Sequence, residues 1–558
     1  MKADYGKTGT YFYLVGLTLI GVFLPTSKFG LSVTQFYLIF VWMLVGIDVK
    51  GINSMFPEQR SVARFLSSLK YVLNQIWNNI QTRFKAFMHN KVAVIVASMY
   101  LMHILGLLYT SDFQYAFKDL RIKLPLLLFP ILLSSMKPLS RKHFDIVIWC
   151  FISSVFFVTV LGAIKYFRRD FIDVRELSVF VSHIRVCLCI VLSIFILAYF
   201  VVRRNYKLYL KIFMLALILW FLWQVTIFES FISVLIIAAL SFVFILYFLT
   251  KISSKPIKIT AFVLVLSAAA FMVYYPYNIM CKYMTPVEIS QDQLDTHTRL
   301  GNPYVFDTVN FNIEDGRYVG YYLAVDEMLD AWSKRSSRVI SNEYDDDLYT
   351  LIRYLTSKDL RKDADGVAQL TDEDVKNIEN NIANYHYIAN PGIRTRLMKV
   401  MEAYQNYKKI SADGSSVFQR IEYIKASLCI IKEHPVFGVG VGDIANSFAE
   451  YYEKNDTKLS YANRLRCHNQ YLAITVAFGV IGLIWFLFSL IYPFISDKKY
   501  RNYYYFIFLF ILMLSMLTED TIETQIGATL FAFFNSFLLF ASPYSQQHDD
   551  DNLLSESE

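Results

Sequence analysis

The sequence predicts an all-α polytopic membrane protein with about twelve transmembrane helices and one large, mainly helical loop between spans nine and ten. Of its 558 residues, 55% are hydrophobic and 17% are aromatic, which is unlike a soluble domain. Apolar runs of membrane-spanning length recur along the chain, and the charged residues gather between them. The net charge of +7 comes mainly from short inter-span loops and so gives no reason to expect a nucleic-acid partner.

About twelve apolar segments are long enough to be predicted as spans. The fourth is short, and Pro125 and Pro130 bound or kink it. The N-terminus lacks a cleavable-signal pattern, because its apolar run leads without a small-residue cleavage site into a second span. The predicted spans are 10–25, 33–49, 92–109, 123–136, 145–164, 180–202, 208–228, 230–250, 258–277, 469–493, 503–519 and 522–541.

Lysine and arginine residues set the orientation of these spans. Five loops, at 50–91, 137–143, 203–207, 251–258 and 496–502, are basic, and the helix count places them all on the side of the N-terminus. Because basic loops remain in the cytoplasm, both termini are expected to be cytoplasmic. The same count places the large loop outside.

The layout divides the chain into four parts. Residues 1–277 hold spans one to nine and a basic segment at 50–91, whose helical apolar spacing predicts an amphipathic helix on anionic lipid. A partner-binding helix is the alternative for that segment. Residues 278–467 form the large loop, 468–542 hold spans ten to twelve, and 543–558 form an acidic, disordered tail.

The large loop is predicted to be a folded, mainly helical subdomain. Thr371 is a plausible N-cap for a helix over 371–385, with acidic residues in its first turn. Apolar residues three and four apart predict further helices at 320–332, 394–410 and 415–433. Three cysteines, Cys281, Cys429 and Cys467, fall in this loop, and their spacing selects no disulfide pair.

Ionisable residues from distant parts of the chain are predicted to meet at the outer face of the membrane helices. Arg185 lies about one turn inside the sixth span, His468 begins the tenth, and Glu519, Asp520 and Glu523 occupy the last outer turn. Charged groups at such positions are functional candidates by default. Taken singly, the histidine could be interfacial, the arginine could snorkel, and the acids could cap helices or pair with an arginine. Their common depth favours a site.

The stretch "HPVFGVGVGD" at 434–443 offers a second candidate feature. Gly438, Gly440 and Gly442 could expose backbone N–H groups to an anion, as a phosphate cradle does. The alternative is a flexible turn that ends the helix predicted at 415–433. No strand precedes the stretch, so it is not a dinucleotide fingerprint.

The motif that opens the tenth span resembles the signature of the O-antigen ligase family. It reads His468-Asn469, nine residues, and then Gly479-Val-Ile-Gly482, directly after the large loop. The "P-x-F-G-x-G-x-G-D" pattern within 434–443 is similar to the family's as well. The order of the motifs and the position of the loop agree with the family over nearly the whole chain.

Two arginines extend the resemblance, and one site departs from it. Arg420 upstream of the glycine-rich stretch and Arg185 in "SHIR" are similar to the family's key arginines. Members often carry Ser-Arg near the outer turn of the middle helices, where this chain has Glu229-Ser230. A third arginine contact at that turn is therefore in doubt.

The resemblance implies a metal-independent, inverting glycosyltransferase of the GT-C type that needs no cofactor. Its donor would be a glycan on undecaprenyl diphosphate, and its acceptor a sugar hydroxyl of lipid A–core. The protein would be a multi-pass protein of the bacterial inner (cytoplasmic) membrane, with its loop and active site on the periplasmic face. The resemblance places His468 near the acceptor hydroxyl and Arg185 and Arg420 on the diphosphate. Supporting candidates are Asn469, Arg464, Arg466, Gly438, Gly440 and Gly442.

Other functions remain open on the same scaffold. An O-antigen polymerase would extend another lipid-linked glycan, and a protein O-oligosaccharyltransferase would use a Ser or Thr acceptor. A flippase or transporter would carry polar residues along a pathway through the membrane. Most ionisable residues here crowd one face instead, which counts against transport and against a purely structural scaffold.

Overall fold

A computed structural model of the chain describes most of its residues in two compact units. Residues 50–61 of the basic segment at 50–91 and residues 544–558 of the predicted acidic tail lie outside the described residues. The described ranges are 6–47, 62–168, 174–287, 294–341, 346–389, 393–409, 411–496 and 501–543. The first unit comprises residues 1–243, 423–456 and 465–558, and the second comprises 244–422 and 457–464.

Helices make up the first unit. Each predicted span overlaps one of the helices described, and the helix of the ninth, Lys255–Met284, belongs to the second unit. Among the described residues, 7 helices are long and apolar enough to cross a membrane, as expected of a polytopic membrane protein. The total number of crossings stays a prediction. The helices are Gly6–Phe23, Lys28–Leu44, Val62–His89, Lys91–Leu105, Phe113–Lys123, Pro125–Ser135, Arg141–Arg168, His183–Arg203, Leu208–Ile227, Ile444–Lys454, Gln470–Ser496, Tyr503–Ser515 and Gln525–Ser536, with Phe231–Lys251 and Ser416–Glu433 divided between the units.

Polar caps and prolines set the ends of several helices. The side chains of Asn90, Asp112 and Thr524 each accept a hydrogen bond from a backbone N–H in the first turn of the helix that follows. Pro125 stands at the start of the short helix predicted around the fourth span, and Pro130 lies inside it. The helix Phe113–Lys123, which Asp112 caps, was not predicted from the sequence.

The tenth predicted span is interrupted, which the sequence did not indicate. Within Gln470–Ser496, Gly479 has a φ of 65° and a ψ of −166°. The segment at 435–440 lies against this break, where Val439 N–H donates to Val476 O and Val480 N–H donates to Pro435 O. A Cβ atom at Gly479 would stand 2.1 Å from Val436 O. Glycine is therefore required here both by φ and by the close approach.

The predicted amphipathic helix is present as Val62–His89. On one face Phe87 is buried, and Asn79 donates to the carbonyls of Met43 and Val45. On another face Trp77 is 59% exposed. One face thus packs on the unit while an apolar face stays uncovered, and contact with anionic lipid remains a prediction.

The second unit is mainly helical and contains one small hairpin. The helices predicted at 320–332, 371–385 and 394–410 are observed as Val325–Ser333, Asp372–Glu379 and Ile393–Lys409, and Thr371 forms a capping box. The all-α prediction missed two short antiparallel strands, Ile313–Glu314 and Arg317–Tyr318, which an Asp-Gly turn joins. The other helices are Lys255–Met284, Asp346–Ser357, Ala364–Ala368 and His386–Ala389.

Two apolar clusters hold the second unit together. The larger one surrounds Trp332 and Tyr354, which are almost fully buried. The smaller one joins Tyr283 to Met398 and Met401, so that Lys255–Met284 packs on Ile393–Lys409. All six cysteines are among the described residues, and each has a free thiol.

Candidate active site

His468 lies in the turn that leads into Gln470–Ser496 and faces an acidic residue. Its Nδ1 atom is 3.5 Å from Oδ1 of Asp520, and its side chain is 34% exposed. Nδ1 itself is buried and has no hydrogen-bond partner. The ring centroid of Tyr423 lies 5.5 Å from that of the imidazole. The site therefore holds a partly open imidazole with one nitrogen directed at a carboxylate.

Arg185 reaches the same carboxylate turn from the first turn of His183–Arg203. Its Nη1 atom is 3.5 Å from Oε2 of Glu519, and the side chain of Arg185 is 8% exposed. Its Nη2 atom is buried and has no hydrogen-bond partner. Ligand-type atoms of His468, Glu519 and Asp520 lie within 4.8 Å of one another. The structure thus brings Arg185 and His468 together around two adjacent carboxylates.

Arg466 is a third member of this cluster. Its Nη2 atom is 3.7 Å from Oδ2 of Asp520, and its Nη1 atom is 3.8 Å from Oε2 of Glu523. Nη1 also donates a 2.6 Å hydrogen bond to the hydroxyl of Tyr115. Burial alone would lower the pKa of Arg466, but Glu523, Tyr115 and Asp520 raise it above its ordinary value. The guanidinium is therefore held as a permanent cation beside the imidazole.

Behind Arg466, a fully buried ion-pair group closes the cluster. Lys123 Nζ lies 2.8 Å from both Asp119 Oδ2 and Glu523 Oε2. Gln470 donates to Glu523 Oε1 at 3.0 Å and accepts from the N–H of Ile522 at 2.7 Å. Sequence reasoning missed Tyr115, Asp119 and Lys123. Their signal was the i,i+4 Asp119–Lys123 pair at the edge of the short fourth span.

The glycine-rich stretch uses its N–H groups within the protein. Gly438 donates to His434 O, Gly440 to Ala477 O, and Gly442 to the hydroxyl of Thr110. The three donors thus already have protein acceptors, and we propose a structural role for these glycines.

Asp443, at the end of the stretch, ties it to the loop at 110–112. Its carboxylate accepts hydrogen bonds from the hydroxyls of Thr110 and Ser111 and from the N–H groups of Ser111 and Asp112. Burial would raise the pKa of Asp443, but these hydrogen bonds hold it below its usual value. Together with the Gly479 break, they fix the chain close to the start of Gln470–Ser496.

Residues 367–487 match the family model described as O-antigen ligase. The resemblance to the O-antigen ligase family is thereby confirmed. The matched residues include the large loop's last helices, the glycine-rich stretch and the motif from His468 to Gly482. A comparison with curated proteins finds no match.

The other candidates suggested by the O-antigen ligase resemblance fall into two groups. Asn469 belongs to the first unit, where its amide donates to Leu517 O at 2.8 Å and accepts from Leu472 N–H at 3.0 Å. Asn469 therefore caps a helix and ties it to the carboxylate turn. Arg420 and Arg464 belong to the second unit, where Arg464 lies over the ring of Tyr461 at 5.9 Å.

The residues of this site do not favour metal binding or a thiol nucleophile. His468, Glu519 and Asp520 are of the types that bind metal ions, but the neighbouring guanidiniums already compensate both carboxylates, which disfavours a dication. Cys467 adjoins the histidine and is buried, and burial raises the pKa of its thiol to about 11. That thiol stays protonated at neutral pH and is a poor nucleophile.

Proposed function

We propose that this chain is an O-antigen ligase-like glycosyltransferase. It moves a glycan from undecaprenyl diphosphate to a sugar hydroxyl of lipid A–core, with inversion and without a metal ion. One observation carries the proposal: His468, Arg185 and Arg466 converge on Glu519 and Asp520 in a chain with an O-antigen ligase match.

His468 is assigned the role of general base. The acceptor hydroxyl oxygen attacks the anomeric carbon, and the Nε2 lone pair of the imidazole takes the proton as the new bond forms. Asp520 accepts from Nδ1–H once the 3.5 Å gap closes, which leaves Nε2 free and stabilises the resulting imidazolium. Such gaps often tighten only when substrate binds. Proton removal of this kind contributes about 10²–10⁴-fold to the rate.

Arg185 and Arg466 are assigned to the leaving diphosphate. The bond between the anomeric carbon and the phosphate oxygen breaks with its electron pair, so negative charge grows on the phosphate. The Nη2 group of Arg185 is buried and unpartnered, and it can donate to a phosphate oxygen while Nη1 remains on Glu519. Arg420 is assigned to the diphosphate by resemblance alone.

The depth of the site suits an amphiphilic donor. Arg185 lies in the first turn of an apolar 21-residue helix, so the cluster stands at one end of that helix. By the orientation predicted from the basic loops, that end faces the periplasm. A lipid diphosphate holds its headgroup at this level, where an acceptor can reach it from water.

The proposal is tested by complementing a deletion strain with His468→Ala and with the control His89→Ala. His89 is an exposed histidine of the same unit that lies outside the cluster and outside the glycine-rich stretch. We expect His468→Ala to abolish transfer to lipid A–core while expression and membrane insertion persist, and His89→Ala to behave as the native protein. Normal transfer with His468→Ala would remove the general-base assignment.

The products formed in the deletion strain separate the members of this functional class. Loss of long glycan from lipid A–core with build-up of lipid-linked polymer supports the ligase. Lipid A–core carrying single repeats would instead indicate a polymerase, and unglycosylated proteins would indicate a protein O-oligosaccharyltransferase.

A further inference from the structure

A cavity lies in the first unit, away from the candidate active site. It has a volume of about 650 Å³ and opens to the surface. The proposed transferase chemistry uses none of the side chains around it. They are Arg141, Lys142, Asp145, Ile146, Trp149, Cys150 and Tyr206.

The cavity stands at the opposite end of the helices from the active site. Arg185 and Arg203 lie at the two ends of His183–Arg203, and 18 residues at 1.5 Å each place them about 27 Å apart. That length is close to the hydrocarbon thickness of a bilayer, about 30 Å. Tyr206 follows Arg203 by three residues, and Arg141 begins the neighbouring helix. The cavity therefore sits at the second membrane boundary.

The charges around the cavity favour an anion. Asp145 is the carboxylate among the seven lining residues, and Arg204 lies 3.1 Å from it. The single negative charge of Asp145 stands against the positive charges of Arg141, Lys142 and the neighbouring Arg204, so the opening has a net positive charge. Both side chains are exposed at the rim, where a ligand can reach them.

The wall of the cavity favours a ligand with an apolar part. Trp149 packs on Phe200 with ring centroids 5.6 Å apart, and Phe200 packs on Tyr206 at 6.1 Å. Ile146 is 37% exposed beside them. Tryptophan and tyrosine are typical of the membrane interface, where an apolar surface meets polar headgroups. A soluble phosphate ion has no apolar part that could contact this wall.

We propose that this cavity binds an anionic phospholipid of the leaflet opposite the active site. The phosphodiester lies between Arg141 and Lys142, and the first carbons of an acyl chain lie along Ile146 and Trp149. Basic pockets between transmembrane helices at the cytoplasmic boundary recognise acidic lipid headgroups in this way. The proposal does not depend on the transferase activity.

The test is lipid binding by the full chain purified in detergent. Phosphatidylglycerol with brominated acyl chains is added, and quenching of tryptophan fluorescence is followed, with brominated phosphatidylcholine in parallel. The charge variant is Arg141→Gln/Lys142→Gln. Its matched control, Arg203→Gln/Lys207→Gln, removes two exposed cations from the same end that do not line the cavity.

We expect saturable quenching by phosphatidylglycerol and weaker quenching by phosphatidylcholine. The charge variant should bind phosphatidylglycerol about 30-fold more weakly, because each basic residue contributes roughly a fivefold gain near anionic headgroups. The matched control should bind as the native chain does, and Trp149→Phe should lose the saturable quenching. Equal quenching by both lipids, equal losses in both double variants, or full competition by soluble glycerol phosphate would each overturn the proposal.

Discussion

Among the described residues, two of the networks of buried charged side chains, one from each unit, differ in geometry. In the second unit, Arg353 is 8% exposed and has Glu402 Oε1 2.6 Å from its Nη1 atom. Its Nε atom donates to Glu314, which also accepts from Asn384. Both carboxylates lie at hydrogen-bond distance from Arg353, and we call this network closed for that reason, although Nη2 of Arg353, like that of Arg185, has no hydrogen-bond partner. These ion pairs tie the hairpin strand at Glu314 to the helices Asp346–Ser357 and Ile393–Lys409.

The network in the first unit has two layers. The fully buried layer at Lys123 is as tightly closed, with both carboxylates at 2.8 Å. The outer layer is looser: Arg185, Arg466 and His468 stand 3.5 to 3.8 Å from their carboxylate partners. Buried ion pairs stabilise a fold only when their geometry is good. A binding site needs cations that can exchange a carboxylate partner for a ligand. The longer ion pairs of the outer layer allow this exchange, while the short ion pairs of Lys123 hold the surrounding helices in place.

The largest expected effect is on the closed network of the second unit. Glu314→Ala leaves Arg353 buried with one carboxylate fewer, which should lower the free energy of unfolding by about 3–5 kcal/mol. Thermal unfolding and limited proteolysis of the purified chain measure this. The control is Asp365→Ala, which breaks the exposed pair of Arg299 and Asp365 and should leave the unfolding midpoint almost unchanged. Equal midpoints for the two variants would contradict a stabilising role for the closed network.

In the outer layer of the first unit, a conservative change should affect activity rather than stability. Arg185→Lys keeps a cation beside Glu519 but removes the planar fork and the unpartnered Nη2 group. Transfer should fall by about 10²–10³-fold, as when one donor to a developing anion is removed. Glycan transfer by the purified variant and its thermal unfolding should be measured together.

The control for this change lies on the same helix. Arg203→Lys alters an exposed arginine at the other end of His183–Arg203 and should transfer glycan at the native rate. If Arg185→Lys instead lost stability and kept its rate per folded molecule, the outer layer would be structural, as the network around Arg353 is.

Periodicity and topology predicted much of the helical fold, and they predicted that Arg185, His468 and the acidic turn lie close together. Apolar runs and helical spacing gave the helices, because burial of apolar surface follows the same periods. Counting spans placed Arg185, His468 and the acidic turn at one depth. This reasoning works because a spanning helix has a nearly fixed length.

The finer contacts depend on pairings that no local pattern encodes. Lys123 meets Glu523 across 400 positions of sequence, and Tyr115 meets Arg466 across 351. The break at Gly479 exists because the segment at 435–440 lies against it. The same pairing supplies acceptors for N–H groups of the glycine-rich stretch. From the stretch alone, these N–H groups were predicted to be available to bind an anion.

Asp520→Asn is expected to have the smallest of these effects. It tests the contact between Asp520 and His468, in which a carboxylate faces an imidazole and not a guanidinium or an ammonium group. The asparagine amide can donate to Nδ1 of His468, which would place the ring proton on Nε2 and block proton uptake from the acceptor. Transfer should fall about 10- to 100-fold, and Asp520→Glu, which restores an acceptor, should recover part of the rate.

The comparison variant Asp443→Asn removes a carboxylate that holds the loop at 110–112, so it should lower stability without changing the rate per folded molecule. If Asp520 were purely structural, its variants would lose stability as Asp443→Asn does. If Asp520 sets the imidazole tautomer, the transfer rate should fall in Asp520→Asn and recover in part in Asp520→Glu.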